Sequence, residues 1–286
     1  MRASKIVITI LFLTQLAVGA LESTYPDIST IPPDLTIPPI NSGPPRAGVR
    51  VAVTPPEYKD TAVHHVLYLP DNWQPGNKYP VLVEYAGNGN YHNKYGDVST
   101  GEVEGSKLGY GISGGRDYIW LCLPYISEDG KNNQAIWWGN VEATVAYAKC
   151  EVARVCEQWG GDPKKIVLCG FSRGAIACGY IGLHDDEIAS LWRGFIPYSH
   201  YDGVREWPYP ESDKHAAKVR LQRISDRPSF IIDTSVTATR AYLESTGIEA
   251  PFTYHVLPFR NHNDAWALRD IPARHAVRNW LEKILE

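Results

Sequence analysis

Hydrophobic and polar positions alternate along most of the chain in two rhythms. Gly48 to Val53 and His65 to Leu69 alternate with period two, so both are expected as strands, separated by Pro55-Pro56. Pro80 to Tyr85, Asp117 to Pro124, Ile166 to Cys169 and Gly194 to Ser199 are nearly continuous apolar runs, the pattern of strands buried on both faces. Pro228 to Asp233 and Phe252 to Leu257 add two more strands. Between them lie stretches of period 3.6. Asn140 caps a helix whose apolar positions run from Val141 to Trp159, and further helices are predicted after Ser172, over about 214–224, over 238–245 and at the closing stretch after Pro272. Strand and helix alternate, so the expected fold is α/β: one domain with a mostly parallel twisted sheet and helices on both faces.

One junction in this series carries chemistry. The run Ile166-Val167-Leu168-Cys169 enters Gly170-Phe171-Ser172-Arg173-Gly174 and leaves into an apolar helical pattern. A Gly-x-Ser-x-Gly turn between a buried strand and a helix is a nucleophile elbow, which holds the serine up at the sheet edge in a strained conformation. Ser172 is therefore the candidate nucleophile. The strand ending at Tyr85 runs into Ala86-Gly87-Asn88-Gly89-Asn90, where glycines let backbone N–H groups approach a substrate oxygen. The expected oxyanion donors are the N–H of Arg173 and one from Asn88 or Gly89. The loop after the 117–124 strand carries Asn132, Trp137 and Trp138, which are expected to line the substrate site; packing within the loop suits the two tryptophans equally well.

The order of these pieces resembles the α/β-hydrolase fold over roughly residues 48–286. The segment from Tyr68-Leu69-Pro70 through Pro80-Val81-Leu82-Val83 to Gly87 resembles secreted esterases of the polyhydroxybutyrate-depolymerase and feruloyl-esterase type. That resemblance implies a triad in the order Ser, acid, His, with the histidine after the last strand. His262 stands there, about 90 residues beyond Ser172, as the expected base; His92 and His200 are its nearest rivals. The acid departs from the pattern. Thr237 occupies about the usual position after the 228–233 strand, and no carboxylate lies between Asp233 and Glu244. Asp202, following the preceding strand, is favoured as the acid, with Asp233 as the alternative. Asp264 is read as an N-cap of the following helix.

The ends of the chain and its composition narrow the setting. Arg2 and Lys5 precede an apolar run to Val18-Gly19-Ala20, the form of a cleavable export signal over residues 1–20. Residues 21–46 carry seven prolines between Tyr25 and Pro45 and are expected to be an extended, mobile spacer, with the hydrolase domain over 47–286. A net charge of -4 gives no reason to expect nucleic acid, and the apolar run is too short for stable membrane insertion. Nine Trp and seventeen Tyr suit sugar or aromatic ligands, and equally the rim of a core. The five Cys sit in apolar surroundings and are expected as buried thiols, one disulfide being open; their spacing fits no zinc site. No metal or cofactor is expected.

The reading is an exported serine hydrolase acting on a small-molecule or polysaccharide ester, with carbohydrate-linked or aromatic acyl groups favoured. Two alternatives stay open: a serine peptidase of the same fold, and a non-catalytic relative that binds glycans.

Overall fold

The computed structural model describes residues 24–286; the expected export signal lies outside them. Among the described residues nine strands form one sheet, built on strands β1 (Ile40–Asn41), β2 (Arg50–Val53), β3 (His65–Tyr68), β4 (Tyr79–Tyr85), β7 (Ile119–Leu123), β8 (Gly161–Phe171), β9 (Gly194–Tyr198), β10 (Ser229–Asp233) and β11 (Phe252–Val256). Their order is β1-β2-β3-β7-β4-β8-β9-β10-β11, and β5 (Tyr91–His92) and β6 (Val98–Ser99) make a separate small hairpin. Strand β3 runs antiparallel to both its neighbours, and every other pairing in the large sheet is parallel.

The side-chain alternation of the central strands feeds two cores. Val81, Val83 and Tyr85 of β4 face one side, packing with Val145, Ala148 and Val152 of helix α2 (Val141–Gln158) and Ile176 of α3 (Arg173–Tyr180). Leu82 faces the other side, with Leu108 and Ile112 of α1 (Leu108–Ser113) and Val277 and Leu281 of α7 (Pro272–Leu285). Helices α4 (Asp186–Ala189), α5 (Lys214–Leu221) and α6 (Thr237–Thr246) complete the connections. Asn140 caps α2 by accepting from the Ala143 N–H at 2.9 Å. The chain reverses its direction of winding at β4, which sits between β7 and β8, so the crevice beyond its C-terminal end is where such a sheet takes ligands.

Three expectations change. Helix α1 lies in the glycine-rich stretch 96–115, where the sequence pattern predicts no helix. Its glycines are there for contact: a Cβ on Gly109 would stand 2.1 Å from the Trp120 ring, and one on Gly111 2.5 Å from the Ala267 carbonyl oxygen. The buried Glu84 carboxylate fixes the start of the same helix by accepting from the N–H groups of Lys107, Leu108 and Gly109. The cysteines also differ from expectation. Cys122, Cys169 and Cys178 are buried, but Cys150 is exposed, and all five are free thiols.

The third change concerns the proline-rich segment, which is a strap docked on the body. Ile40–Asn41 extends the sheet as β1, and Ile28 is buried in the core with Tyr68 and Trp266. Asp34 pairs with both terminal nitrogens of Arg274 at 2.7 and 2.6 Å. Asp27 pairs with Arg260 at 2.9 Å, and the Ile28 N–H donates to Asn261 Oδ1 at 2.7 Å. Proline restricts the chain to an extended path, and the intervening side chains supply the attachment. Truncating a buried isoleucine removes its transfer energy and leaves a cavity. Ile28→Ala is therefore expected to lower unfolding stability by about 2–4 kcal/mol in a denaturant titration, whereas a free spacer would give no change.

Candidate active site

Strand β8 ends at Phe171 and α3 starts at Arg173, so Ser172 must turn the chain within a single residue. It does so at φ 56° and ψ -112°, a conformation that costs a non-glycine residue roughly 1–3 kcal/mol. Its N–H is held by the Tyr198 carbonyl of β9 at 2.9 Å. The two flanking glycines allow the turn to press against β4. A Cβ on Gly174 would stand 1.9 Å from the Tyr85 carbonyl oxygen, and one on Gly170 2.3 Å from the Gly174 backbone.

His262 lies between β11 and a 3₁₀ turn at Asp264–Leu268. Its Nε2 is 3.1 Å from Ser172 Oγ, so the structure brings together the predicted nucleophile and the predicted base. The other nitrogen, Nδ1, is 2.9 Å from Ser199 Oγ rather than from a carboxylate. Ser199 follows β9 at φ 81°, with its N–H bonded to the Ile232 carbonyl at 2.8 Å. The tautomer that donates from Nδ1 to this hydroxyl turns the Nε2 lone pair toward Ser172.

Asp202, the favoured acid, is engaged elsewhere. Both its oxygens are held by Arg220, at 2.9 and 3.1 Å, and its carboxylate packs against Gly179 of α3. A buried carboxylate needs a partner for its charge, and in this chain Arg220 is that partner. Asp233, the alternative, shares a cavity wall with Ser199 and His262, while its Oδ1 accepts from the Thr234 N–H at 2.7 Å. Nor does Asp264 act as a cap: Asn263 accepts from the Ala265 N–H, and Asp264 pairs with Lys107 at 2.8 Å.

The expected oxyanion donors divide. The Gly89 N–H is spent on the Ala135 carbonyl at 2.7 Å, which removes it from the set. Arg173 stands at the first position of α3, where a helix offers N–H groups without an intrahelical acceptor. Asn88 lines the same cleft as Ser172, and its Oδ1 receives the Trp137 N–H at 2.8 Å. The Arg173 side chain is buried. Its guanidinium lies 3.9 Å from the Tyr125 ring centre and donates to the carbonyls of Gln134, Trp137 and Gly101, tying the loops around the cleft to the elbow. Burial lowers its pKa to about 10, so it is still a cation at neutral pH.

The cleft over Ser172 has a volume of about 270 Å³ and is walled by Trp137, Trp207, Tyr91, Phe171 and Ile176. Trp137 thus lines the site as expected. Trp138 does not: it is buried and stacks on Tyr180 with ring centres 4.7 Å apart. Asn132 is exposed, with its N–H on Ser127 Oγ, away from the cleft. An adjoining cavity of about 400 Å³ shares His200, Trp207 and His262 and carries Asp233, Arg205 and Arg260 on its walls. Of the rival histidines, His200 packs 5.4 Å from His262, and His92 is exposed on the small hairpin.

Sequence reasoning missed Ser199 and a second residue, Asp97, which grips the loop carrying His262. Neither belongs to a periodic pattern. The available signal for Ser199 is its place directly after β9, and Asp97 is one of three carboxylates, with Glu102 and Glu104, in a glycine-rich stretch.

No family model and no curated protein sequence matches the chain. Solved structures do. An acetyl ester-xyloside bifunctional hydrolase from Caldicellulosiruptor lactoaceticus aligns over 77% of this chain and 88% of its own, at 16% identity and a TM-score of 0.55. A fungal esterase from Rhizomucor miehei aligns over 94% and 96%, at 12% identity and 0.54. A Bacteroides ovatus protein assigned as a dipeptidyl aminopeptidase IV aligns over 82% of this chain at 15% identity and 0.54, and the chain spans 35% of that protein's length. With the strand order above, these likenesses establish the α/β-hydrolase fold.

Burial disfavours the charged imidazole and lowers the pKa of His262 to about 4, against the opposing charges of Asp97 and Asp264. A base must be neutral to accept a proton, so His262 is competent from about pH 4 upward rather than from the usual value of about 6.5. The ring titration of His262 followed by NMR should have its midpoint near 4; a midpoint near 6.5 would show a solvated ring.

Proposed function

We propose that this chain is an exported serine hydrolase that cleaves carboxylic esters through an acyl-Ser172 intermediate. The observation that carries the reading is the 3.1 Å contact between His262 Nε2 and Ser172 Oγ at the mouth of an aromatic cleft. In the first step Ser172 Oγ attacks the ester carbonyl carbon while His262 Nε2 takes the hydroxyl proton. The tetrahedral oxyanion is met by the N–H of Arg173 and of Asn88. Collapse breaks the bond to the alcohol oxygen, which leaves with the proton from His262. Water then attacks the acyl carbon, gives its proton to His262, and Ser172 recovers it as the acid departs.

The substrate reading is a carbohydrate-linked or aromatic acyl ester, small or polymeric. Trp137, Trp207, Tyr91 and Phe171 support it, because rings of this kind stack on sugar faces and aromatic acids alike. Neither nucleic acid nor a membrane is part of the reading. A second reading, a non-catalytic relative that binds glycans, is favoured by one observation: Nδ1 of His262 meets a hydroxyl and not a carboxylate.

A fluorophosphonate probe separates the two. Labelling of the wild type and none of Ser172→Ala is expected, and a correctly folded wild type that resists labelling would refute the enzyme reading. The hydroxyl at Nδ1 contributes less than an acid would, so Ser199→Ala is expected to reduce p-nitrophenyl acetate turnover by no more than about tenfold, against the roughly 10⁴-fold loss seen when a triad carboxylate is neutralised.

A further inference from the structure

We propose that Asp97 is the positioning carboxylate of this site, holding the base His262 through the main chain of its loop instead of through Nδ1. The inference rests on the reading of Ser172 and His262 as nucleophile and base.

Asp97 is 2% exposed, and both oxygens of its carboxylate accept from the loop that carries His262. Oδ2 accepts from the His262 N–H at 2.8 Å. Oδ1 accepts from the side-chain amide of Asn261 at 2.9 Å and from that of Asn263. Three consecutive residues around the base thus converge on one carboxylate 165 positions away from His262 in the chain. Hydrogen bonds to an ionised acceptor are about twice as strong as neutral ones, and this one buried group receives several.

The carboxylate is itself held. Asn93 donates from Nδ2 to Asp97 Oδ2 at 2.7 Å and accepts the Asp97 N–H at 3.1 Å. Asn93 also donates to the Tyr91 hydroxyl at 3.1 Å, and the Tyr91 ring sits edge-on to the His262 ring with centres 5.1 Å apart. One short segment, 91–97, therefore presses on the imidazole and grips its backbone at once.

A triad acid performs two tasks: it fixes the tautomer and orientation of the imidazole, and it stabilises the imidazolium formed during attack. Here the tasks are divided. The Ser199 hydroxyl receives Nδ1 and sets the tautomer. Asp97 sets the position of the ring and places a negative charge close to it. The other ionisable groups facing His262 are Asp264, His200, Ser172 and Tyr91, with Asp233 and Arg260 across the neighbouring cavity.

Asparagine at position 97 would keep the shape, remove the charge and set an NH₂ group against donors. A shift of about 1 Å in a catalytic group can cost on the order of 100-fold in rate. The test compares wild type, Asp97→Asn and Ser199→Ala in p-nitrophenyl acetate hydrolysis, with thermal midpoints recorded alongside. Folded Asp97→Asn should lose on the order of 100-fold in kcat with KM within about threefold, the signature of an interaction that matters to the transition state. Ser199→Ala should lose less than Asp97→Asn. A folded Asp97→Asn with wild-type kcat, its only change a lower melting point, would reduce the carboxylate to a structural clamp and overturn the proposal.

If Asp97→Asn does not fold, Ser199→Ala decides alone: retention of about a tenth or more of kcat supports the division of tasks, and a loss of roughly 1,000-fold overturns it, because Nδ1 would then carry the orientation. Fluorophosphonate labelling of the wild type is read first. Its absence refutes the hydrolase reading, while labelling together with an overturning result refutes the role of Asp97 only.

Discussion

Everything at this site depends on the close approach of two backbones, the elbow at Gly170–Gly174 and the end of β4 at Tyr85. The 1.9 Å from a notional Gly174 Cβ to the Tyr85 carbonyl shows that no side chain fits between them. That contact forces Ser172 into its strained turn and aims Oγ away from the sheet. It also brings the loop that follows Tyr85 beside the start of α3. The Arg173 guanidinium then fixes the rim, donating to carbonyls of two loops that share no sequence neighbourhood with it. Strain at Ser172 is offset by packing all round it.

His262 is secured by a different principle. His262 sits on a loop, which by itself holds a ring loosely, and the structure fastens that loop from both sides. The strap contributes Asp27 against Arg260 and the Ile28 N–H on Asn261, while Asp97 holds the backbone of His262 itself. A ring positioned through its own peptide does not require a carboxylate behind Nδ1 to orient it. The chain thereby keeps the His262 ring 3.1 Å from Ser172 while Asp202 is bound to Arg220.

Much of this is legible in the chain itself. Buried strands announce themselves by continuous apolar runs, and the elbow by the two glycines of its Gly-x-Ser-x-Gly turn. His262 is picked out by the Ser, acid, His order that the resemblance implies, with the histidine after the last strand. The rest is hidden because it is made by partners distant in sequence. Nothing near Asp202 indicates that Arg220 will claim it, and nothing near Asp97 points to His262. Helix α1 is masked by glycines that serve contact with Trp120 and Ala267 rather than flexibility. The strap is masked by prolines, which describe its path and say nothing of Asp27, Ile28 and Asp34, the residues that dock it.

The central claim is that Ser172 forms a covalent acyl intermediate with His262 as its base. The most direct measurement is rapid-quench peptide mass mapping after mixing with p-nitrophenyl acetate. A transient acetyl group is expected on the peptide containing Ser172, formed far more slowly in His262→Ala. An acetyl group on another residue, or equal rates in the two proteins, would contradict the claim.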